Sequence, residues 1–541
     1  MFELLSVDRD YETARREFSV SVPPGFNFAY DVIDRRGREA DKTAVIVVSE
    51  DGEEISELRY SDLSRRSNRF ANGLMALGIE KGEYACLIAG RIPLWYDALF
   101  GCMKAGVVSL PGTTLLTGRD IAYRIEQSGA SIVIVSPEHC DKVESIRAEC
   151  PTLKHRIVLG AARPGWISAP DMCAEAADTV AQRVPVEATD PMMAYFTSGT
   201  TALPKMVPRD FAYGLAHAAT GLFWMGLRKD DIHWTLTDTG WAKAAWGIIF
   251  PQFLIGVTVV LYEGAGFHPE LLLRLIAKLK VTTFCAPPTI YRMLAQMNLE
   301  HFDLSSIRRS LSAGEPLNPE VIRFWERHTG TVIADGYGQT ETINVIGNFP
   351  GEPIRHGSMG RPVPGCDMQV VDDDGQILPP DEIGHIAMRL TDPWPAGLFT
   401  GYVTEDGLDT GSFRNGWYLT GDTATRDADG YFWFVGRADD LINSAGYRIS
   451  PFEVESALLE HPAVAESAVV AAPDPVRGQI VVAHVVLARG HLPSDELALE
   501  IQEFCKTNTA PYKYPRRIIF TDDLPKTVSG KIRRVELREE G

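Results

Sequence analysis

Residues Thr197 to Lys205 read T-S-G-T-T-A-L-P-K, a composition suited to holding a polyphosphate. Six consecutive hydroxyl or small residues, Thr197 to Ala202, let backbone N–H groups turn together toward one anion. Thr197, Ser198, Thr200 and Thr201 add hydroxyl donors around Gly199, and Lys205 adds a positive charge. The stretch is not a Walker A loop, since no G-x-x-x-x-G-K-[ST] occurs in the chain. A second stretch, Asp335 to Thr342, reads D-G-Y-G-Q-T-E-T. Its two glycines permit close backbone approach, Tyr337 offers an aromatic face, and Glu341 is a hard oxygen ligand for Mg²⁺. A third, Trp417 to Asp422, ends in a carboxylate after a tight turn, a geometry for two sugar hydroxyls. A fourth, Gly436 to Ile449, joins charged residues to a glycine, as a hinge requires. The fifth, Leu524 to Lys531, lies in a basic tail. Each stretch has an ordinary alternative as a solvated loop or turn. Their order along one chain is what carries weight.

The elements that must position these stretches alternate between helix and strand. Met192 to Phe196 is a strand candidate feeding the first loop. Upstream, Thr43 to Ser49, Tyr84 to Ala89 and Ser131 to Ser136 read as buried strands, with helices over Tyr60 to Leu77 and Leu94 to Ala105. Downstream, helices are expected at Leu271 to Leu279, Ile290 to Met297 and Pro319 to His328, with strands at Thr282 to Ala286 and Val332 to Ala334. This alternation predicts an α/β layered fold with a largely parallel sheet. From Gly351 to Gly411 the texture changes to Gly/Pro-rich turns with short strands, predicting a small β subdomain or distorted barrel. Beyond Gly436 a compact α+β unit of about one hundred residues is expected. It carries helices at Phe452 to Leu459 and Ser494 to Cys505 and strands at Ser467 to Ala472 and Val481 to Leu487. Ala244 to Tyr262 has no charged residue and is long enough to span a bilayer. Pro251, Gln252 and Gly256 interrupt it, so it reads as a buried helix followed by a buried strand.

At 541 residues the chain needs two or more domains. Its net charge of −19 argues against general nucleic-acid binding and against docking on anionic membranes. From Lys506 onward, however, nine Lys/Arg face five Asp/Glu, a local balance near +4. The eight cysteines form no C-x-x-C pair, which points to reduced thiols, no zinc site and a cytoplasmic setting. Met1 to Phe18 mixes acids with arginines, unlike a secretory or transit segment.

Taken in order, the five stretches resemble the adenylate-forming superfamily of acyl-CoA synthetases, nonribosomal peptide adenylation domains and firefly luciferases. The resemblance runs from roughly residue 30 to Lys531. Thr237 to Lys243, Asp335 to Thr342 and Asn443 to Ile449 look most like the medium-chain acyl-CoA synthetases. The resemblance implies an acid–CoA ligase using ATP, Mg²⁺ and coenzyme A. A carboxylate attacks the α-phosphate, pyrophosphate leaves, and the CoA thiol then displaces AMP from the acyl-adenylate. It also implies a large N-terminal domain over 1–436 and a small mobile C-terminal domain over 437–541, pivoting near Asp439.

Residue roles follow from the same resemblance. Thr197 to Thr201 and Lys205 would cover the β- and γ-phosphates, Thr340 the α-phosphate, and Glu341 would help hold Mg²⁺. Gly314, Glu315, Pro316 and Tyr337 would shape the adenine slot, with Asp335, Gly336, Gly338 and Gln339 beside them. Asp422 and Arg437 would take the ribose hydroxyls, and Lys531 would bridge the attacking carboxylate and the α-phosphate. Coenzyme A would meet Ala445, Gly446, Tyr447, Arg448, Arg477, Lys506, Tyr514, Pro515 and Arg516, which gives the basic tail a purpose. Gly338 stands where acetate-specific relatives carry a pocket-blocking tryptophan, so the acyl pocket, with Trp241, is open to a medium-chain, branched or aromatic acid. One departure is Ala202, where family loops carry glycine; if φ is positive there, alanine costs about 1 kcal/mol. The alternative reading is a stand-alone enzyme that loads a carrier protein. A non-catalytic nucleotide binder would be expected to lack Lys531 or Glu341, and both are present. The expected partners are small molecules, with no nucleic acid and no membrane span, and the chain is a monomer or homodimer.

Overall fold

The computed structural model describes residues 10–39, 42–180, 182–197, 203–314, 319–445, 447–526 and 532–539. The chain forms two compact units: one holds the described residues up to Thr197 with Met206–Asp367 and Thr391–Gly411, the other residues 203–205, Met368–Leu390 and Ser412 onward.

The first unit carries two nine-stranded sheets. In one, six neighbouring strands run parallel: Ile333–Gly338, Arg309–Ala313, Thr283–Cys285, Ile232–Thr235, Thr258–Tyr262 and Thr43–Val48. Such strands are covered on both faces and therefore read as unbroken apolar runs; Thr258–Tyr262 is buried at every position. The second sheet centres on the parallel strands Val108–Gly112, Tyr84–Ile88 and Ile132–Val135. The antiparallel hairpin Pro191–Phe196 and Met206–Asp210 extends it, and Phe196 pairs with Met206.

The helices follow from local signals. Tyr60–Ala76 opens where Asp62 accepts the Arg59 N–H at 2.9 Å. Gly118–Ser128 has a reciprocal Thr117/Asp120 cap and ends at Gly129, whose φ of 66° suits glycine. The uncharged stretch is indeed helix then strand, Phe250–Ile255 and Thr258–Tyr262, preceded by a π-helical turn over Ala245–Ile249. No helix among the described residues is long and apolar enough to cross a membrane.

Two expectations change. The strand expected to end at Ala334 continues to Gly338, because Gly336 and Tyr337 pair with Gly347 and Ile346 on an antiparallel neighbour. Gly351 to Gly411 is not one subdomain. Met368–Val371 and Gly384–Arg389 join Trp417–Arg426 and Phe432–Arg437 in an antiparallel sheet of the second unit. Tyr402–Thr404 instead joins the second sheet of the first unit, between Gly407–Asp409 at the edge and Met206–Asp210, where Val403 pairs with Met206. Turn-rich sequence marks strand ends and leaves their partners open.

The second unit also holds the long hairpin Val464–Asp474 and Gly478–Leu487, with helices Pro451–Leu459 and Asp495–Asn508 packed around it. Ser450 and Ser494 cap these helices.

Candidate active site

The strand Ile333–Gly338 delivers the second motif, and the backbone around it explains its glycines. Gly336 lies against the Trp224 indole, where a Cβ would stand 2.4 Å from a ring carbon. Trp224 Nε1 donates to the Asp335 carbonyl at 3.1 Å, and Asn348 Nδ2 donates to the same oxygen at 2.9 Å. The Gly336 N–H donates to Asp335 Oδ1 at 2.9 Å. Burial pushes the Asp335 carboxyl up to about 8. A carboxyl raised in the folded state binds its proton more tightly there than in the unfolded chain. Stability from this group is therefore full below pH 4 and is lost as pH rises toward 8. Asp335→Asn is expected to gain on the parent protein between pH 5 and pH 8.5, read as a widening difference in thermal midpoint. A constant difference across that range would overturn the assignment.

After Gly338 the chain turns. The Gln339 N–H donates to Thr342 Oγ1 at 3.0 Å and the Thr342 N–H to the Gln339 carbonyl at 3.2 Å. This turn leaves Thr340 half-buried and sinks Glu341 to 8% exposure. Phe399, Arg209 and Tyr402 are among the residues that hold Glu341. Its carbonyl accepts from the Phe399 N–H at 2.9 Å and from Arg209 Nη1 at 2.8 Å, and its Oε1 accepts from Tyr402 Oη at 2.8 Å. Arg209 Nη2 donates to the Gly397 carbonyl, and the guanidinium lies 3.8 Å from the Tyr213 ring centroid. Sequence reasoning missed Arg209 and Tyr402, which stand 132 and 61 residues from Glu341 with no local signal of the contact.

Around the expected acyl pocket, Trp241 is half-buried at the start of the helical segment from Ala242. π-Helical turns are frequent at functional sites, and this one follows directly. Trp246 packs edge-on against Trp224 at 5.2 Å, a core contact. Lys243 Nζ donates to the Ala313 carbonyl at 3.3 Å, beside Gly314 with its φ of 101°. A Cβ on Gly338 would fall 2.4 Å from the Ile343 carbonyl oxygen, so a larger residue here needs the Ile343 backbone to shift, apart from any effect on the pocket. A cavity of about 240 Å³ opens among Trp234, Leu236, Ile248, Phe267, Leu271 and Ile290, and neither Trp241 nor Gly338 lines it.

Thr197 and Lys205 stand at the two ends of the hairpin connection, Thr197 half-buried and Lys205 exposed. Ser198, Gly199, Thr200, Thr201, Ala202, Glu315, Pro316, Gly446 and Lys531 lie outside the described residues.

Within the second unit, Asp422 and Arg437 are cross-strand partners. Asp422 Oδ1 lies 3.5 Å from Arg437 Nη1, and Arg437 Nε is 3.5 Å from Asp439 Oδ1. The residues expected for coenzyme A form two groups. Ala445, with a φ of 51°, donates its N–H to the Arg477 carbonyl at 2.9 Å, and Tyr447 and Arg448 follow in the strand Tyr447–Ile449. Lys506 and Arg516 lie 4.8 Å and 4.3 Å from the Tyr514 ring, and Arg516 Nη1 donates to Tyr514 Oη at 2.6 Å. Gln502 Nε2 ties the Pro515 carbonyl at 3.1 Å. Tyr447 stacks on Tyr512 at 4.2 Å, joining the two groups; Tyr512 was not legible as a member.

The chain is similar to known proteins along nearly its whole length. The AMP-binding enzyme family profile matches residues 34–403, and that of the AMP-binding enzyme C-terminal domain matches 453–531. The mouse acyl-coenzyme A synthetase ACSM3, mitochondrial, is 41% identical, with 98% of this chain and 93% of the relative covered. The human ACSM5, mitochondrial, is 42% identical, with 96% and 91% covered. Among solved structures, a Brucella canis acyl-CoA synthetase is 36% identical with a TM-score of 0.74, covering 100% of this chain and 98% of its own. The anthranilate CoA ligase AuaEII with anthranoyl-AMP is 32% identical with a TM-score of 0.86, covering 96% and 98%.

The cytoplasmic setting expected from the cysteines is overturned, because these mammalian relatives are mitochondrial proteins by name. All eight cysteines are free, yet free thiols report a reducing environment rather than one compartment. By profile, by identity along nearly its whole length and by fold, the chain belongs to the AMP-binding enzymes, among the AMP-forming acyl-coenzyme A synthetases.

Proposed function

We propose that this enzyme joins a medium-chain, branched or aromatic carboxylic acid to coenzyme A through an acyl-adenylate, consuming ATP and releasing pyrophosphate and AMP. The observation that carries this reading is the complete, ordered set of nucleotide motifs in a chain 41% identical to acyl-coenzyme A synthetases.

The first step brings an anion toward a polyanion, so placed donors must offset the repulsion. Thr197 to Thr201 and Lys205 wrap the β- and γ-phosphates, Thr340 meets the α-phosphate, and Lys531 bridges it to the incoming carboxylate. Glu341 is the residue for Mg²⁺, which when bound neutralises charge on the phosphates. Mg²⁺ is commonly held by one or two carboxylates plus substrate phosphates. A glutamate clamped by Tyr402 suits that. Asp335 to Gln339, with Gly314, Glu315 and Pro316, form the adenine slot, and Asp422 and Arg437 take the ribose. Trp241 and Gly338 border the acyl group.

For the second step we assign Ala445 to Arg448, Arg477, Lys506 and Tyr514 to Arg516 to coenzyme A. The boundary falls between residues 436 and 437, with Asp439 as the pivot that exchanges Lys531 for Gly446. The enzyme is a monomer or homodimer, which light scattering distinguishes.

The test is pyrophosphate and AMP release, with and without coenzyme A, across acids from acetate to decanoate plus benzoate and salicylate. Coenzyme-A-dependent turnover that peaks away from acetate is the expected result. Pyrophosphate release indifferent to coenzyme A would transfer the assignment to carrier-protein loading.

A further inference from the structure

Glu341 is held more firmly than a surface metal ligand needs to be. Its carbonyl accepts from the Phe399 N–H and from Arg209, and its carboxylate accepts from Tyr402, all residues distant in sequence. Arg209 is 2% exposed and engages in no ion pair among the described residues. It spends its guanidinium on two carbonyls, of Glu341 and Gly397, and on the Tyr213 ring. Its Nε has no hydrogen-bond partner among the described residues. Burying a guanidinium is costly, and the attraction of the nearby Asp210 and Glu341 offsets only part of that cost, since burial remains the largest influence on the group. The two arms of the fork tie the Glu341 backbone to that of Gly397. Tyr402 completes the arrangement from the same segment that supplies Gly397 and Phe399, with its ring 4.9 Å from that of Phe399.

We propose that Tyr402 and Arg209 are positioning residues that set Glu341 for a divalent cation before nucleotide arrives, an inference that rests on Glu341 being the Mg²⁺ residue. Hydrogen-bond partners behind a metal ligand typically govern about 10–100-fold in metal affinity. The two residues act by different atoms. Arg209 fixes the backbone from which the side chain departs. Tyr402 fixes the direction in which the carboxylate points.

The test is calorimetric binding of ATP to the full-length protein with no carboxylic acid present, so that no turnover occurs, in Mg²⁺ or in EDTA. In the parent protein Mg²⁺ is expected to tighten ATP binding. Tyr402→Phe removes one hydroxyl, and is expected to lose about 10-fold of that Mg²⁺-dependent gain. Its affinity in EDTA and its thermal midpoint should match the parent's. Arg209→Lys keeps the charge but not the fork and is expected to lose part of the same gain. A Tyr402→Phe protein with the parent's full gain would overturn the proposal, and so would equal losses in Mg²⁺ and EDTA, which would mark a purely structural contact. A parent protein that binds ATP equally with and without Mg²⁺ would instead remove the reading of Glu341 itself, and this proposal with it.

Discussion

Lys531→Ala is expected to slow acyl-adenylate formation by about 10²–10³-fold, the loss typical of removing one preorganised charge at a developing transition state. Thioester formation from supplied acyl-adenylate and coenzyme A should stay within a few-fold of the parent. The contrast follows from the roles assigned: one lysine offsets the repulsion between carboxylate and α-phosphate, and the second step contains no such encounter. On either side of Lys531, Lys526 and Ile532 form an antiparallel bridge, and Lys526 Nζ lies 2.7 Å from Glu466. The backbone on both flanks is thus anchored by groups other than the Lys531 side chain. Single-turnover measurement of pyrophosphate for the first step and AMP for the second separates the two. Equal losses in both would show that the alanine variant disturbs the unit rather than the chemistry.

Lys104→Met is expected to cost the first unit about 3–5 kcal/mol of stability, because removing one member of a buried pair leaves the other uncompensated. Lys104 is fully buried and donates to Asp34 Oδ1 at 2.6 Å, Asn68 Oδ1 at 2.6 Å and Ser67 Oγ at 2.9 Å. Burial pulls its ammonium down to about 8 even with Asp34 beside it. Adding Asp34→Asn to Lys104→Met should return a substantial part of the loss, since the stranded carboxylate is then gone. Denaturant midpoints of the three variants against the parent give the coupling. Additive losses would mean that the two groups do not compensate each other.

Much of this molecule was legible because its strands are buried on both faces. Thr43–Val48, Tyr84–Ile88 and Thr258–Tyr262 announce themselves as short apolar runs wherever they pair. The family was legible for a different reason: five motif stretches follow one another in order along a single chain, and the AMP-binding enzyme profiles match across 34–403 and 453–531. What could not be read depends on pairing across long separations. Strand Ile333–Gly338 outruns its apolar stretch because a neighbour eleven residues on holds it, as Gly336 opposite Gly347 shows. Tyr402 and Arg209 look like ordinary strand residues until the pairing of their two strands sets them beside Glu341. Tyr512 and Tyr447 find each other only through the fold of the second unit. The compartment was misread because a thiol's redox state does not name the organelle.

The pairing of Val403 with Met206 also sets a timetable for synthesis. Strand Met206–Asp210 leaves the ribosome long before the strand that covers its outer edge. At ordinary rates of about 5–20 residues per second, that edge stays open for roughly 10–40 s. An open strand edge is a template for pairing with another chain. A nascent copy that has passed residue 210 but not 403 is therefore the sticky species of this protein, and crowded polysomes are where its aggregation should begin.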